Sequence, residues 1–236
     1  MGGCARKAPP VLAALLLCCP LAHAGLKGSA GAVSEYLFRG IESSGGAAVQ
    51  GDAYYAWDEG YYAGAWLSNT VHAATQIDSY AGYDRRFGDF RAGGGVVYRY
   101  FSEEVSTAST ANHQDRISFG ELYLTGGYGP ANGAVYYGHD YFGSSKDSLY
   151  VTGNVNLPVR ETVSVILEGG YSSGPGITTV WSGRFFDYRA SLEKRFDDGF
   201  SAGFHVAGTT RGATAGEFSI DNRPKFLVSF KKDFDF

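Results

Sequence analysis

The chain reads as an all-β protein: a single antiparallel transmembrane β-barrel of about 12 strands, preceded by a cleaved signal peptide. Three observations carry this expectation. The end of the chain, RPKFLVSFKKDFDF, places Phe226, Val228, Phe230, Lys232, Phe234 and Phe236 in one phase and Lys225, Leu227, Ser229, Lys231, Asp233 and Asp235 in the other. A period of two is that of a strand, because successive Cβ atoms point to opposite faces. Composition agrees: 34 Gly, 17 Tyr and 16 Phe accompany one Met and 7 Pro, which suits strands and tight turns better than helices. The connections, finally, sort alternately into short and long. A closed membrane barrel sorts its turns in this way and a soluble sandwich has no reason to.

The first 24 residues form the expected signal peptide. Arg6 and Lys7 supply a positive start, Val11 to Leu21 an apolar stretch, and Ala22-His23-Ala24 a small-x-small cleavage site. Cleavage there leaves 25–236 as one barrel domain. All three cysteines (Cys4, Cys18 and Cys19) precede the cut, so the mature chain has no disulfide framework, thiol nucleophile or cysteine metal site. Removing the two basic residues of the leader takes the formal net charge from −4 to −6, which excludes nucleic acid as a partner on charge grounds. After the leader, no apolar run approaches the roughly 20 residues of a spanning helix.

Alternating segments bounded by turn residues predict strands at 30–41, 47–57, 61–69, 75–87, 90–101, 116–128, 133–142, 148–157, 162–172, 182–196, 199–210 and 223–236. Each is near the roughly 9 to 11 residues that a tilted strand needs to cross a bilayer. Asp58-Glu59-Gly60, Gly88-Asp89 and Asp197-Asp198-Gly199 are tight connections, and those around Gly129 and Pro158 are only slightly longer. The segments 102–115, 173–181 and 211–222 are long. With an even strand number both ends of the barrel fall on the short-turn rim.

If the aromatic phase faces lipid, the opposite phase faces inward. That assigns Glu35, Arg39, Asp52, Asp78, Arg91, Arg99, Glu121, Glu168, Asp187, Arg189, Glu193 and His205 to the lumen. Charges of both signs in a confined space are costly unless paired or hydrated. They either border a narrow aqueous pore or pair into a ladder that fills the interior. Trp57, Trp181 and Tyr128, near strand ends, are read as an interfacial girdle. Gly93-Gly94-Gly95 lies within a strand, where it marks a bend or close packing and not a phosphate loop. His139-Asp140 is the one adjacent acid–base pair, but a regular strand points the two to opposite faces, so no enzyme is expected. The histidines are too scattered for a metal signature, and no cofactor is expected.

Two further segments add a family resemblance. The run Gly31-Ala-Val-Ser-Glu-Tyr-Leu-Phe-Arg-Gly-Ile, with Gly60-Tyr-Tyr-Ala-Gly-Ala-Trp-Leu-Ser-Asn after it, resembles the N-terminal hairpins of the TorF-type family of putative porins, small proteobacterial outer-membrane proteins. The likeness is sharpest over 31–90. It implies an outer-membrane location and a small, general or weakly selective pore for small hydrophilic solutes. A non-conducting structural or surface-interaction barrel is the alternative, and a barrel enzyme acting on lipid or peptide a more distant one. The terminal strand, ending in Phe236, also looks like the signal read by the outer-membrane assembly machinery. That machinery and outer-membrane lipid are therefore the expected partners. Lys232 interrupts the apolar row there, where a lysine near the rim can snorkel to the interface.

Overall fold

The computed structural model describes residues 24–71, 74–102, 117–215 and 218–236. The predicted leader and most of the 102–115 connection lie outside them. Twelve strands close a barrel: β1 (Gly25–Val33), β4 (Ala48–Ala56), β5 (Tyr61–Asn69), β6 (Thr75–Phe87), β7 (Phe90–Phe101), β8 (Phe119–Tyr128), β9 (Ala131–His139), β10 (Ser148–Arg160), β11 (Val163–Ser173), β12 (Phe185–Arg195), β13 (Phe200–Thr209) and β16 (Lys225–Asp235). Every pairing is antiparallel. The cylinder closes where β16 meets β1, from Lys27 opposite Asp235 to Val33 opposite Ser229. All-neighbour pairing leaves no open edge in the wall, which satisfies the backbone hydrogen bonds a bilayer cannot.

The wall is inverted relative to a soluble protein. Val49, Leu67, Leu122, Leu124, Phe186, Phe226 and Phe230 face outward and exposed, while Gln76, Asp78, Arg99, Glu121 and His205 are buried inside. The alternation follows the pleat, residue by residue: β16 reads exposed at Phe226, Val228 and Phe230 and buried at Leu227, Ser229 and Lys231. Near the short-turn rim, Lys232 sits with its ammonium 4.4 Å from the Phe200 ring centroid and donates to the Asp198 carbonyl.

Four more strands form a second sheet, ordered β14-β15-β3-β2: β2 (Leu37–Phe38), β3 (Ile41–Glu42), β14 (Ala213–Ala215) and β15 (Phe218–Ile220). This corrects the expected first strand over 30–41. The wall strand ends at Val33, and the chain then turns inward into a hairpin. Its turn is Arg39-Gly40, with φ of 52° and 78°, the pair of positive values that a tight two-residue hairpin needs. Alternation continues through the turn in sequence, so it could not mark the departure from the wall. Tyr36 and Phe38, read as lipid-facing, are in fact 2% and 3% exposed.

On the long-loop rim the connections pack on this second sheet. A short helix α1 (Pro175–Trp181) begins with proline at its first turn, where the missing N–H is not needed. It ends at Ser182 in the left-handed region. Phe142, from the 3₁₀ turn Tyr141–Gly143, packs edge-on against Trp181 and Phe218 and tilted against Phe101, with ring centroids 6.1, 5.8 and 5.8 Å away. Trp181 is 0% exposed, and its indole N–H donates to the Tyr141 hydroxyl at 3.2 Å. Its place in an interfacial girdle is therefore wrong: the loop folds its apolar helix face onto the barrel mouth, so the tryptophan packs with protein. Trp57 and Tyr128 do sit exposed, each just before a short turn.

Candidate functional site: the barrel interior

The interior is crossed by one connected polar chain that begins and ends on the inward hairpin. The Tyr36 hydroxyl donates to Gln76 Oε1 at 3.2 Å, and Gln76 Nε2 donates to Asp78 Oδ1 at 2.8 Å. Asp78 Oδ2 accepts from Arg99 Nη1. Arg99 Nε and Nη2 then reach Glu121 Oε2 at 3.1 and 3.0 Å. Glu121 in turn accepts Arg39 Nη1 and Nη2 on its two oxygens, each at 2.7 Å. Two arginines and two carboxylates balance, which is what makes such burial tolerable. The Arg39 guanidinium is also stacked among rings, its carbon 4.3 Å from the Tyr150 centroid, 4.7 Å from Tyr136 and 4.8 Å from Phe38.

Strand geometry explains the meeting of Asp78, Arg99 and Glu121. Asp78 faces Arg99 across β6–β7, and Val97, two residues from Arg99, faces Glu121 across β7–β8. The three inward positions thus neighbour one another on adjacent strands. Arg39 arrives from inside the lumen, and not from the wall as a strand reading implies.

Beside this network lies a tyrosine layer. Tyr62, Tyr123, Tyr136 and Tyr150 occupy connected inward positions on β5, β8, β9 and β10. The Tyr62 and Tyr123 hydroxyls are 2.7 Å apart. Glycines make room for them. An added Cβ at Gly82 would stand 2.5 Å from the Tyr62 oxygen, and one at Gly95 would stand 2.5 Å from that of Tyr123. The triple glycine of β7 therefore serves close packing.

Elsewhere in the lumen the polar groups form smaller sets. Glu168 Oε2 and Asp187 Oδ2 are buried with no hydrogen-bond partner, although the other Asp187 oxygen accepts from Tyr150 at 3.1 Å. His205 bridges Ser191 and Ser229, each at 2.8 Å. Asp52 accepts from Tyr80 at 2.8 Å, and Arg91 contacts Asn132 at 3.1 Å and Asp84 at 3.6 Å. Lys225 joins Glu35 and Glu42 at 2.6 and 2.7 Å. A cleft bounded by Tyr36, Leu37, Gln50, Arg189, His205 and Leu227 remains between hairpin and wall. Glu193, like Arg189, is partly buried on β12.

The sequence-assigned charges thus divide. Arg39, Asp78, Arg99 and Glu121 come together, Glu168, Asp187, Arg189, Glu193 and His205 share the β11–β13 face, and Asp52, Arg91 and Glu35 lie apart. Sequence reasoning missed Gln76, the tyrosine layer and the two serines on His205. Period-two phase alone could have found them, since all fall on the inward set. His139 contacts Asp147 at 2.8 Å in the open, with side chains 76% and 47% exposed. Asp140 turns away with φ 57° to accept from the Ser145 N–H. Among the described residues, no group of three or more His, Cys, Asp or Glu could hold a metal ion.

The chain belongs to a family described as a bacterial protein of unknown function (Gcw_chp), whose model matches residues 22–234. No curated protein matches it. Among solved structures the fold is similar to a KdgM porin, at 12% identity with a TM-score of 0.58, covering 88% of this chain and 99% of that one. It is also similar to a NanC porin, at 9% identity with a TM-score of 0.57, covering 90% of this chain and 100% of the other. A further KdgM structure, solved in complex with disordered oligogalacturonate, aligns with a TM-score of 0.57 at 12% identity, covering 89% of this chain and 99% of that one.

Proposed function

We propose that this protein is an outer-membrane, porin-like channel for small hydrophilic solutes, held here in a closed state. The observation that carries the reading is the inversion of the wall, apolar outside and charged inside, in a closed barrel of twelve strands. An apolar outer band needs lipid, and a polar interior favours water and solutes over hydrocarbon. Twelve strands lie between the about eight whose interior side chains fill and the roughly 16 to 18 of open porins. The fold of the two porins and the TorF-type sequence resemblance support the same reading. Export by the leader at 1–24 and recognition of Phe236 by the assembly machinery belong to it. A variant without Phe236 that still assembled normally would remove that role.

In the closed state Arg39 and Arg99 are engaged by Glu121 and Asp78, and charges of both signs line the interior, so a general or weakly selective solute path is the reading. Enzymatic action is not part of the reading. One observation favours the alternative of a non-conducting structural barrel: the hairpin reaches from Leu37, packed on Ala207 and Leu227, to Arg39 on Glu121. Planar-bilayer recording of the refolded protein separates the two. Discrete conductance steps are expected, and their absence in every salt would leave the structural barrel.

A further inference from the structure

The four strands of the inner sheet enter and leave the wall at only one side. The hairpin β2–β3 joins β1 to β4, and β14–β15 joins β13 to β16. In the cylinder these four strands are consecutive, in the order β13-β16-β1-β4. The two hairpins are hydrogen-bonded to each other, with Ser219 opposite Glu42 and Ile220 opposite Ile41. They therefore form one body attached along one third of the circumference. One of their ion pairs, Arg39 on Glu121, reaches the far wall. Counting round the ring, β8, which carries Glu121, lies across the barrel from β1 and β16.

We infer that β2–β3 and β14–β15 are a single lid, hinged on the β13–β16–β1–β4 arc and latched by Arg39 on Glu121. Resting on the channel reading above, the inference makes displacement of this lid the opening step. The latch suits the task chemically. Glu121 holds Arg39 through two parallel charge-assisted bonds, a geometry that is strong when aligned and lost altogether when the lid shifts. Release does not dismantle the wall, because Arg99 retains Asp78 and Glu121 as partners. The freed Arg39 would add a cation to the lumen, and Glu121 would keep one of its two arginines. Closure is the resting state because Phe218 and Ile220 of the lid pack into the aromatic cluster with Phe101, Phe142 and Trp181.

Single-channel recording of the refolded protein tests this, with heat-modifiable gel mobility confirming folding. Arg39→Ala and Glu121→Gln should each raise open probability by at least about ten-fold over wild type, since either removes the paired charge-assisted bonds that only the closed state makes. A second arm does not depend on those variants. A Cβ at Gly40 would stand 3.8 Å from the Thr209 Cβ, the mean separation for a disulfide, although at φ 78° and with the Asp187 Cβ 3.0 Å away a side chain there is strained, so the same variant is compared oxidised and reduced. The only natural cysteines are Cys4, Cys18 and Cys19, all before the barrel. In Gly40→Cys/Thr209→Cys the oxidised protein should stay shut and open on adding dithiothreitol. Conductance that is the same oxidised and reduced, or latch variants that open no more than wild type, would overturn the lid while leaving the channel. Silence from wild type, latch variants and reduced cysteine pair alike overturns both.

Discussion

Arg39 and Glu121, 82 positions apart in sequence, meet in the barrel interior through two hydrogen bonds of 2.7 Å. The Glu121 side chain is 0% exposed and that of Arg39 4%. At such burial the attraction roughly offsets desolvation, but loss of Glu121 leaves Arg39 uncompensated, and loss of Arg39 leaves Glu121 to Arg99 alone.

A double-mutant cycle is the first consequence. Glu121→Ala is expected to cost about 3–5 kcal/mol, and Arg39→Ala less because Glu121 keeps Arg99. The double variant should cost clearly less than their sum, with a coupling of at least about 1 kcal/mol. Urea unfolding in lipid vesicles measures all three, and additive costs would show that the two side chains do not act as a pair.

The tyrosine layer yields a second expectation. Gly82→Ala places a Cβ 2.5 Å from the Tyr62 oxygen and 2.7 Å from the Gly94 carbonyl. Overpacking of this kind costs about 1–3 kcal/mol. Tyr62→Phe removes the hydroxyl contact but leaves the ring Cζ and the Gly94 carbonyl each at 2.7 Å, so Gly82→Ala should cost less in a Tyr62→Phe background than in wild type, without becoming neutral. Full recovery, or no initial loss, in the same unfolding measurement contradicts the packing seen here.

The wall was legible in the sequence and the lid was not, for one physical reason. Along β5, β6 and β7 the pleat ties sequence phase to an inside and an outside, and the predicted bounds 61–69, 75–87 and 90–101 coincide with the strands. Phase says nothing of a segment that leaves the wall and is buried on both sides. Tyr36-Leu37-Phe38-Arg39 is such a segment, buried at all four positions, and an alternating neighbourhood disguised it as strand. Trp181 failed likewise, because a tryptophan near a rim packs against lipid or loop depending on tertiary folding. Asp78, Arg99 and Glu121 could be placed inward by phase, but their shared network needed the strand register and the returning Arg39.

Tryptophan fluorescence distinguishes the two rim environments. The chain has three tryptophans, so single-tryptophan variants are practical. In vesicles containing brominated lipid, Trp57, 42% exposed on the outer surface, should be strongly quenched. Trp181 should be nearly unquenched and should emit at shorter wavelength than a solvated indole. Strong quenching of Trp181 would return it to the girdle.

The lid loop also carries a pH signature outside the membrane-spanning strands. Hydrogen bonds from the Arg223 side chain, then from its backbone N–H, lower the Asp221 carboxyl to about 2. A depressed carboxylate stabilises the folded loop above its unfolded value, about 3.9, and that contribution is lost as pH falls through about 2. Carbon-detected NMR titration should find Asp221 charged at pH 3, and Arg223→Ala should raise its titration point toward 3.9. An unchanged midpoint would show that Arg223 is not its partner in solution.

Ion selectivity places the last demand on the interior. Arg91 lies on the inward face of β7 near the short-turn rim, 3.6 Å from Asp84 and 3.1 Å from Asn132. Arg99, higher on the same strand, is bound to both Asp78 and Glu121. Removing Arg91 leaves Asp84 without the guanidinium 3.6 Å from it beside the solute path, whereas removing Arg99 also loosens the network that meets the lid. Reversal potentials in a salt gradient should therefore shift toward cations for Arg91→Ala and toward anions for Asp84→Asn. Arg99→Ala should change opening as well as selectivity. Equal effects from the two arginines would mean that the network does not separate gating from conduction, and no effect from Arg91 would place the solute path elsewhere in the barrel.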